Sequence, residues 1–167
     1  MREQADANSM EPDVSNALEL MAAAVRELFQ DAGLVYADPG ERHVVSKLCR
    51  VLEPRFPEHE VSNEYDRREQ DVKKLGKTKI TPDLIIHKIG VRESNLLVIE
   101  VKLVSNNDFA SDVFKLRGMT GPDGDYRYAA GVHLVLDIPN GRVAKGDVYV
   151  DGVIDDAPTQ HFASQFT

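Results

Sequence analysis

Pro82-Asp83-Leu84-Ile85-Ile86 and Leu96-Leu97-Val98-Ile99-Glu100-Val101-Lys102 are the two stretches on which the reading of this chain turns. Both are aliphatic along consecutive positions, the pattern of strands covered on both faces. Gly90 and the polar Arg92-Glu93-Ser94 between them form a hairpin connection. With residues 90–93 as the loop, Ile89 pairs with Ser94 and Ile86 with Leu97, and the same register sets Asp83 opposite Glu100. Directly opposed residues have Cβ atoms roughly 4.5–5.5 Å apart. Lys102 lies two positions beyond Glu100 and shares its face, because strand side chains alternate. A slip of one residue would turn Asp83 to the other face. Two acids and a lysine thus form one polar patch in strands that otherwise read as buried. Unpaired charges in such a place cost several kcal/mol or more, so they are normally paired or bound to a metal.

Working outward, residues 16–32 read as a helix capped by Ser15 or Asn16, with Leu18, Met21, Ala22, Val25, Leu28 and Phe29 at helical spacing and Gly33 as its stop. Pro39 opens a second helix to about residue 55, with Val44, Val45, Leu48, Val51 and Leu52 inward, closed by Pro54 and Pro57. Residues 60–67 suit a first strand, 82–88 and 95–103 the two clearest ones. A third helix runs over 106–119, capped by Asn106 or Asn107, and further strands cover 129–138 and 145–150. Gly121-Pro122-Asp123-Gly124 is a turn and not a phosphate loop, because no Gly-Lys-Ser/Thr follows. The order predicts an α/β sandwich around a mixed sheet. Residues 1–15 are expected to be a flexible segment, 16–155 a single domain and 156–167 a tail.

At 167 residues the chain suits one domain with a real core. No apolar run approaches the roughly 18 residues of a membrane helix, and the polar, acidic start is unlike a secretory signal. The single cysteine, Cys49, excludes an intramolecular disulfide and fits a reducing cytoplasm; its apolar helical setting makes it a core residue and not a nucleophile. The net charge of -8 is uneven: residues 1–31 carry -5 and 147–167 carry -4, leaving +1 for 32–146. Residues 65–79 hold six basic side chains against three acids, with Arg67, Arg68, Lys73 and Lys74 among them. Such a strip beside a site serves phosphate binding without a basic protein overall; its plain alternative is a solvated loop.

Carboxylate oxygens suit Mg²⁺, which keeps several waters and takes phosphate oxygens as its other ligands. Two opposed carboxylates repel unless a divalent cation lies between them. The Val101 carbonyl lies between the two functional side chains of its strand and can be another ligand. A lysine beside the metal can orient a water, help deprotonate it or neutralise the developing charge on phosphorus.

Asp83 after a proline, followed by Glu100-Val101-Lys102 in the next strand, resembles the PD-(D/E)xK nuclease superfamily of restriction-endonuclease-like fold. The resemblance covers roughly residues 39–137. It implies an αβββαβ core, here with an extra N-terminal helix, so that 16–155 becomes one nuclease-like domain. It implies a metal-dependent hydrolase of phosphodiester bonds in DNA, using Mg²⁺ with Mn²⁺ as a substitute. Asp83 and Glu100, with the Val101 carbonyl, take the metal. Lys102 serves the attacking water, and Glu41 in Gly40-Glu41-Arg42-His43 takes the place of the supporting helix acid. By the same analogy a domain of this size works on both strands as a homodimer, in the cytoplasm and away from membranes.

Each reading has a plainer companion. An isolated E-x-K triplet is commonly a surface ion pair; the apolar flanks and Asp83 favour a metal site. Glu41 is equally a first-turn acid favoured by the helix dipole. Lys115 and Arg117 can face DNA, while Asp112, three residues before Lys115, offers an intrahelical pair. His43 can approach phosphate, and Tyr65, Tyr126 and Tyr128 can stack on bases; ordinary packing is the commoner use of both types. Two alternatives to a DNA nuclease stay open: an inactive module of the same fold that binds nucleic acid or protein, and a nuclease acting on RNA.

Overall fold

The computed structural model describes residues 12–37, 39–63, 73–76, 78–88 and 95–167. The first apolar stripe forms α1, Pro12–Phe29, in which Leu18, Met21, Ala22, Val25 and Leu28 are all buried. Gly33 does not end the helical region as expected. Asp31 restarts it, accepting a hydrogen bond from the Leu34 amide at 3.1 Å as the cap of a short helix α2, Ala32–Tyr36. Its second oxygen meets Lys47 Nζ at 2.7 Å. Helix α3, Glu41–Leu52, follows Gly40 and runs into a 3₁₀ turn over Glu53–Arg55. Val44, Val45, Leu48 and Leu52 point inward as expected, and Cys49 is buried beside them.

Among the described residues six strands make one mixed sheet: β1 Glu60–Asn63, β4 Leu84–His87, β5 Leu97–Leu103, β6 Ala130–Asp137, β7 Arg142–Val150 and β8 Val153–Ile154, neighbouring one another in that order. β2 Lys73–Leu75 and β3 Thr78–Ile80 form a separate hairpin. The ladder between β4 and β5 pairs Ile86 with Leu97 and Leu84 with Ile99, the register expected from the loop length. β4 is antiparallel to both of its neighbours, β1 and β5, whereas β5 and β6 are parallel and set Glu100 beside His133. Parallel neighbours need a crossover. Helix α4, Ala110–Thr120, supplies it.

The two faces of the sheet carry different loads. Leu97, Ile99 and Val101 of β5, with Ala130, Val132 and Leu134 of β6, join the side chains of α1 and α3 in the main core. Val98 faces the other way and packs with Ile85, Leu116, Met119, Tyr128 and Tyr149 in a smaller core under α4. Glu100 and Lys102 alternate onto that second face. A Cβ on Gly131 of β6 would lie 3.0 Å from both Leu116 Cδ2 and Thr120 Cγ2. The missing side chain is what lets α4 lie close to the strands there.

The C-terminal residues 156–167 are not the loose tail expected of them. Asp155 caps α5, Asp156–Ser164, through its carboxylate and the Ala157 amide at 3.3 Å, and Phe162 is fully buried in the main core. Pro158 sits in the first turn, where a missing N–H does no harm. The tract 64–72, which includes the end of the expected first strand and Arg67 and Arg68 of the basic strip, lies outside the described residues, as do Lys77 of that strip and 1–11 of the expected N-terminal segment. Among the described residues no helix is long and apolar enough to cross a membrane.

The docking of α5 depends on Gly146 of β7, where an added Cβ would stand 2.7 Å from two ring carbons of Phe162. A rigid aromatic ring at 0% exposure cannot turn aside. Gly146→Ala is therefore expected to destabilise the fold by about 1–3 kcal/mol in urea denaturation. Unchanged stability would mean that Phe162 is not seated against β7.

Candidate functional site

Pro82 is buried, and Asp83 occupies a bend immediately before β4, one position beyond the last ladder pair. The register carried one step further sets it opposite Glu100. Here the side chain takes over from the ladder: Asp83 Oδ2 accepts a hydrogen bond from the Val101 amide at 2.8 Å. One oxygen of the carboxylate thus ties the end of β4 to β5, next to the Val101 carbonyl.

Glu100 has 0% exposure in the middle of the sheet. Its counter-charge comes from α4. Lys115 Nζ donates to Glu100 Oε2 at 3.0 Å and to the Thr81 carbonyl at 3.3 Å. The same ammonium is 3.0 Å from Oε1, but without hydrogen-bonding geometry, so Oε1 is buried with no hydrogen-bond partner. Burial, then the nearby Asp83 carboxylate, push the Glu100 pKa well up, against the pull of Lys115. Burial pulls Lys115 down, but the Glu100 charge and hydrogen bond, with the nearby Asp83 and Asp112 carboxylates, together outweigh it and hold the ammonium above its ordinary range.

Lys102 is engaged separately. Its Nζ lies 3.4 Å from Asp112 Oδ2 of α4, and His133 Nε2 of β6 meets the same oxygen at 3.1 Å. A carboxylate can only accept, so the histidine proton of this contact sits on Nε2. His133 Nδ1 is buried without a hydrogen-bond partner. The ring stands edge-on to Phe109 at 4.8 Å, and Lys145 Nζ lies 4.9 Å over the Phe109 ring. Burial raises the Asp112 pKa, but the His133 hydrogen bond and the Lys102 charge overcome it and hold the carboxyl below its usual range.

The two ion pairs cross between strand and helix. Residues two apart on a strand are separated by about 6.6 Å and residues three apart on a helix by about 4.5 Å. A helix returning from the end of β5 runs back along it, so the earlier Asp112 meets the later Lys102 and the later Lys115 meets the earlier Glu100. Both lysines of the site are therefore matched to an acid on the opposite element, and Asp112 pairs across to the sheet instead of along its own helix.

Of the expected site residues, Asp83, Glu100 and Lys102 come together on the α4 side of the sheet, while Val101 turns its side chain into the main core and offers only its backbone to the site. Lys115 joins them, with its ammonium on Glu100. Glu41 begins α3, a helix that packs on the main-core face. Among the described residues no group of three or more His, Cys, Asp or Glu side chains is arranged to hold a metal ion, so Glu41 does not stand in direct reach alongside Asp83 and Glu100. Arg67 and Arg68 lie outside the described residues; Lys73 and Lys74 belong to β2. His43 is exposed near the start of α3. Asp112 and His133 were missed by sequence reasoning as members of this site.

A second polar cluster joins α1 and α5. Ser15 Oγ lies 3.3 Å from His161 Nε2, and Glu19 Oε1 lies 3.1 Å from the same nitrogen. A nucleophile relay needs the acid on one ring nitrogen and the hydroxyl on the other. Sharing Nε2 makes this a bridge between helices.

No protein-family model, curated protein or solved structure matches the chain. The donor set itself is informative. Asp83, Glu100 and the Val101 carbonyl are hard oxygen ligands, and the orphaned Glu100 Oε1 has room in its chemistry for a cation. Oxygen donors of this kind are the ones that hard divalent cations take.

The raised Glu100 pKa fixes the sign of a pH effect. Folding favours the protonated acid, so its stabilisation is complete below the ordinary value of 4.5 and is lost as pH rises through the folded-state pKa. Thermal melts without metal, from about pH 5 to about pH 9, should show the wild type losing ground to Glu100→Gln as pH rises. Parallel curves would contradict the assignment.

Proposed function

We propose that this protein is a Mg²⁺-dependent nuclease of restriction-endonuclease-like fold that hydrolyses phosphodiester bonds in DNA. The observation that carries the proposal is the juxtaposition of Asp83 and Glu100 across the β4–β5 register, with Lys102 on the same face. The chain order α3, β1, β4, β5, α4, β6 supports it as an αβββαβ core with three antiparallel strands and a fourth added in parallel.

In this reading Asp83, Glu100 and the Val101 carbonyl hold the cation. A divalent ion held there would acidify a bound water and offset charge developing on the phosphate. Lys102, steadied by Asp112 and His133, presents its ammonium where the attacking water and the phosphate oxygens meet. Steadying matters because catalysis by a charged group depends on its being in place before the charge develops. Arg67, Arg68, Lys73 and Lys74 contact the phosphate backbone, and a homodimer serves the two strands of a duplex.

A second reading has its own observation. Lys115 and Asp112 already neutralise Glu100 and Lys102, so the charges are satisfied by the chain itself. The same fold would then be a non-catalytic module binding nucleic acid or protein.

Incubation with plasmid, single-stranded DNA and RNA under Mg²⁺ or Mn²⁺ separates these. Cleavage of DNA by the wild type, lost by about 100-fold or more in Lys102→Ala and Asp83→Ala, is the expected result. Cleavage confined to RNA would redirect the substrate. Binding without cleavage of any substrate would favour the module.

A further inference from the structure

We infer that Lys115 is an exchangeable counter-ion: it neutralises Glu100 while the site is metal-free, and a divalent cation binding at Asp83 and Glu100 displaces it toward solvent. The inference rests on the metal-site reading above and adds to it a competition between a side chain and the ion.

Three observations converge on Lys115. Its Nζ is surrounded by oxygens in the way a cation would be, 3.0 Å from each Glu100 oxygen and 3.3 Å from the Thr81 carbonyl. The fit is incomplete, since Glu100 Oε1 is fully buried and accepts no hydrogen bond. A single ammonium therefore leaves one lone-pair site unused that a metal ligand would use. Finally, Lys115 has a way out. Its side chain retains 13% exposure against 1% for Glu100, and Thr81 beside it is exposed. Lysine carries its charge on a flexible four-carbon stem, so the head can leave while α4 stays docked.

Glu100 cannot be left alone in either state. Removing one partner of a buried ion pair leaves the other charge desolvated and uncompensated. An incoming cation must therefore replace the ammonium as it leaves, and the two compete for one carboxylate. Lys102 is no substitute, being engaged by Asp112. The competition would keep the metal-free protein folded and make its metal affinity weaker than the donor set alone provides.

The test is metal binding, not cleavage. Calorimetric titration with MnCl₂ compares wild type, Lys115→Met and Lys115→Arg, each also with Asp83→Asn. Lys115→Met is expected to bind Mn²⁺ at least ~5-fold more tightly than wild type, with Lys115→Arg close to wild type and Asp83→Asn abolishing binding in every background. Should Lys115→Met fail to fold, the wild type itself carries the test: amine-reactive labelling read by mass spectrometry should rise at Lys115 when Mn²⁺ is added, and not in Asp83→Asn. Asp83-dependent binding of equal affinity with and without Lys115, or Mn²⁺ binding that leaves Lys115 protected, overturns the exchange and leaves the metal site standing. Absence of Asp83-dependent Mn²⁺ binding in every variant overturns both.

Discussion

A carboxylate with no solvent exposure in a central strand of the sheet constrains much of what surrounds it. Glu100 needs a positive partner within the fold, and β5 cannot supply one, because Lys102 on the same face extends toward Asp112. The partner must come from the helix above. That requirement fixes how α4 lies: close enough for Lys115 to reach the strand, and running so that Asp112 lands on Lys102. Gly131 provides the closeness, since a methyl group there would press on Leu116 and Thr120. Packing and charge thus agree on one placement, and such agreement between levels is what makes a fold specific.

Local pattern carried much of this. The aliphatic runs on either side of Gly90 announced covered strands, and the loop length put Ile86 against Leu97, where the structure has them. Helical spacing located the inner faces of α1 and α3. What local pattern could not carry was the pairing of α4 with the sheet. Asp112 and Lys115 stand at the spacing of an intrahelical pair, and only the docked helix shows each reaching a different residue of β5. His133 sits in a run, Gly131-Val132-His133-Leu134-Val135, that reads as plain core strand; its meeting with Asp112 depends on the parallel register of β5 and β6. The C-terminal helix was different, because its signal was present in Asp155 as a cap and Pro158 in the first turn, with Phe162 at the buried face. Acidic residues and a proline are also the composition of a loose tail, so the cap and the turn are told apart from one only by the buried Phe162.

Asp83 and Glu100 differ in how they are held, and the difference bears on chemistry. Asp83 is tethered by a backbone amide that would stay in place whether or not a cation were bound. Glu100 is held by a side chain that can move. On the proposed reading, a site built from one fixed and one exchangeable contact would stay folded without metal and still accept it. The same arrangement serves as a closed ion pair in the absence of metal, and the position of Lys115 in its presence tells the two states apart.

A crystal structure grown with Mn²⁺ and recorded at a wavelength where manganese scatters anomalously examines that position directly. The account predicts one anomalous peak between the Asp83 and Glu100 carboxylates, within coordination distance of the Val101 carbonyl, with Lys115 Nζ withdrawn from Glu100. No peak at saturating Mn²⁺, with Lys115 still seated on Glu100, would contradict it.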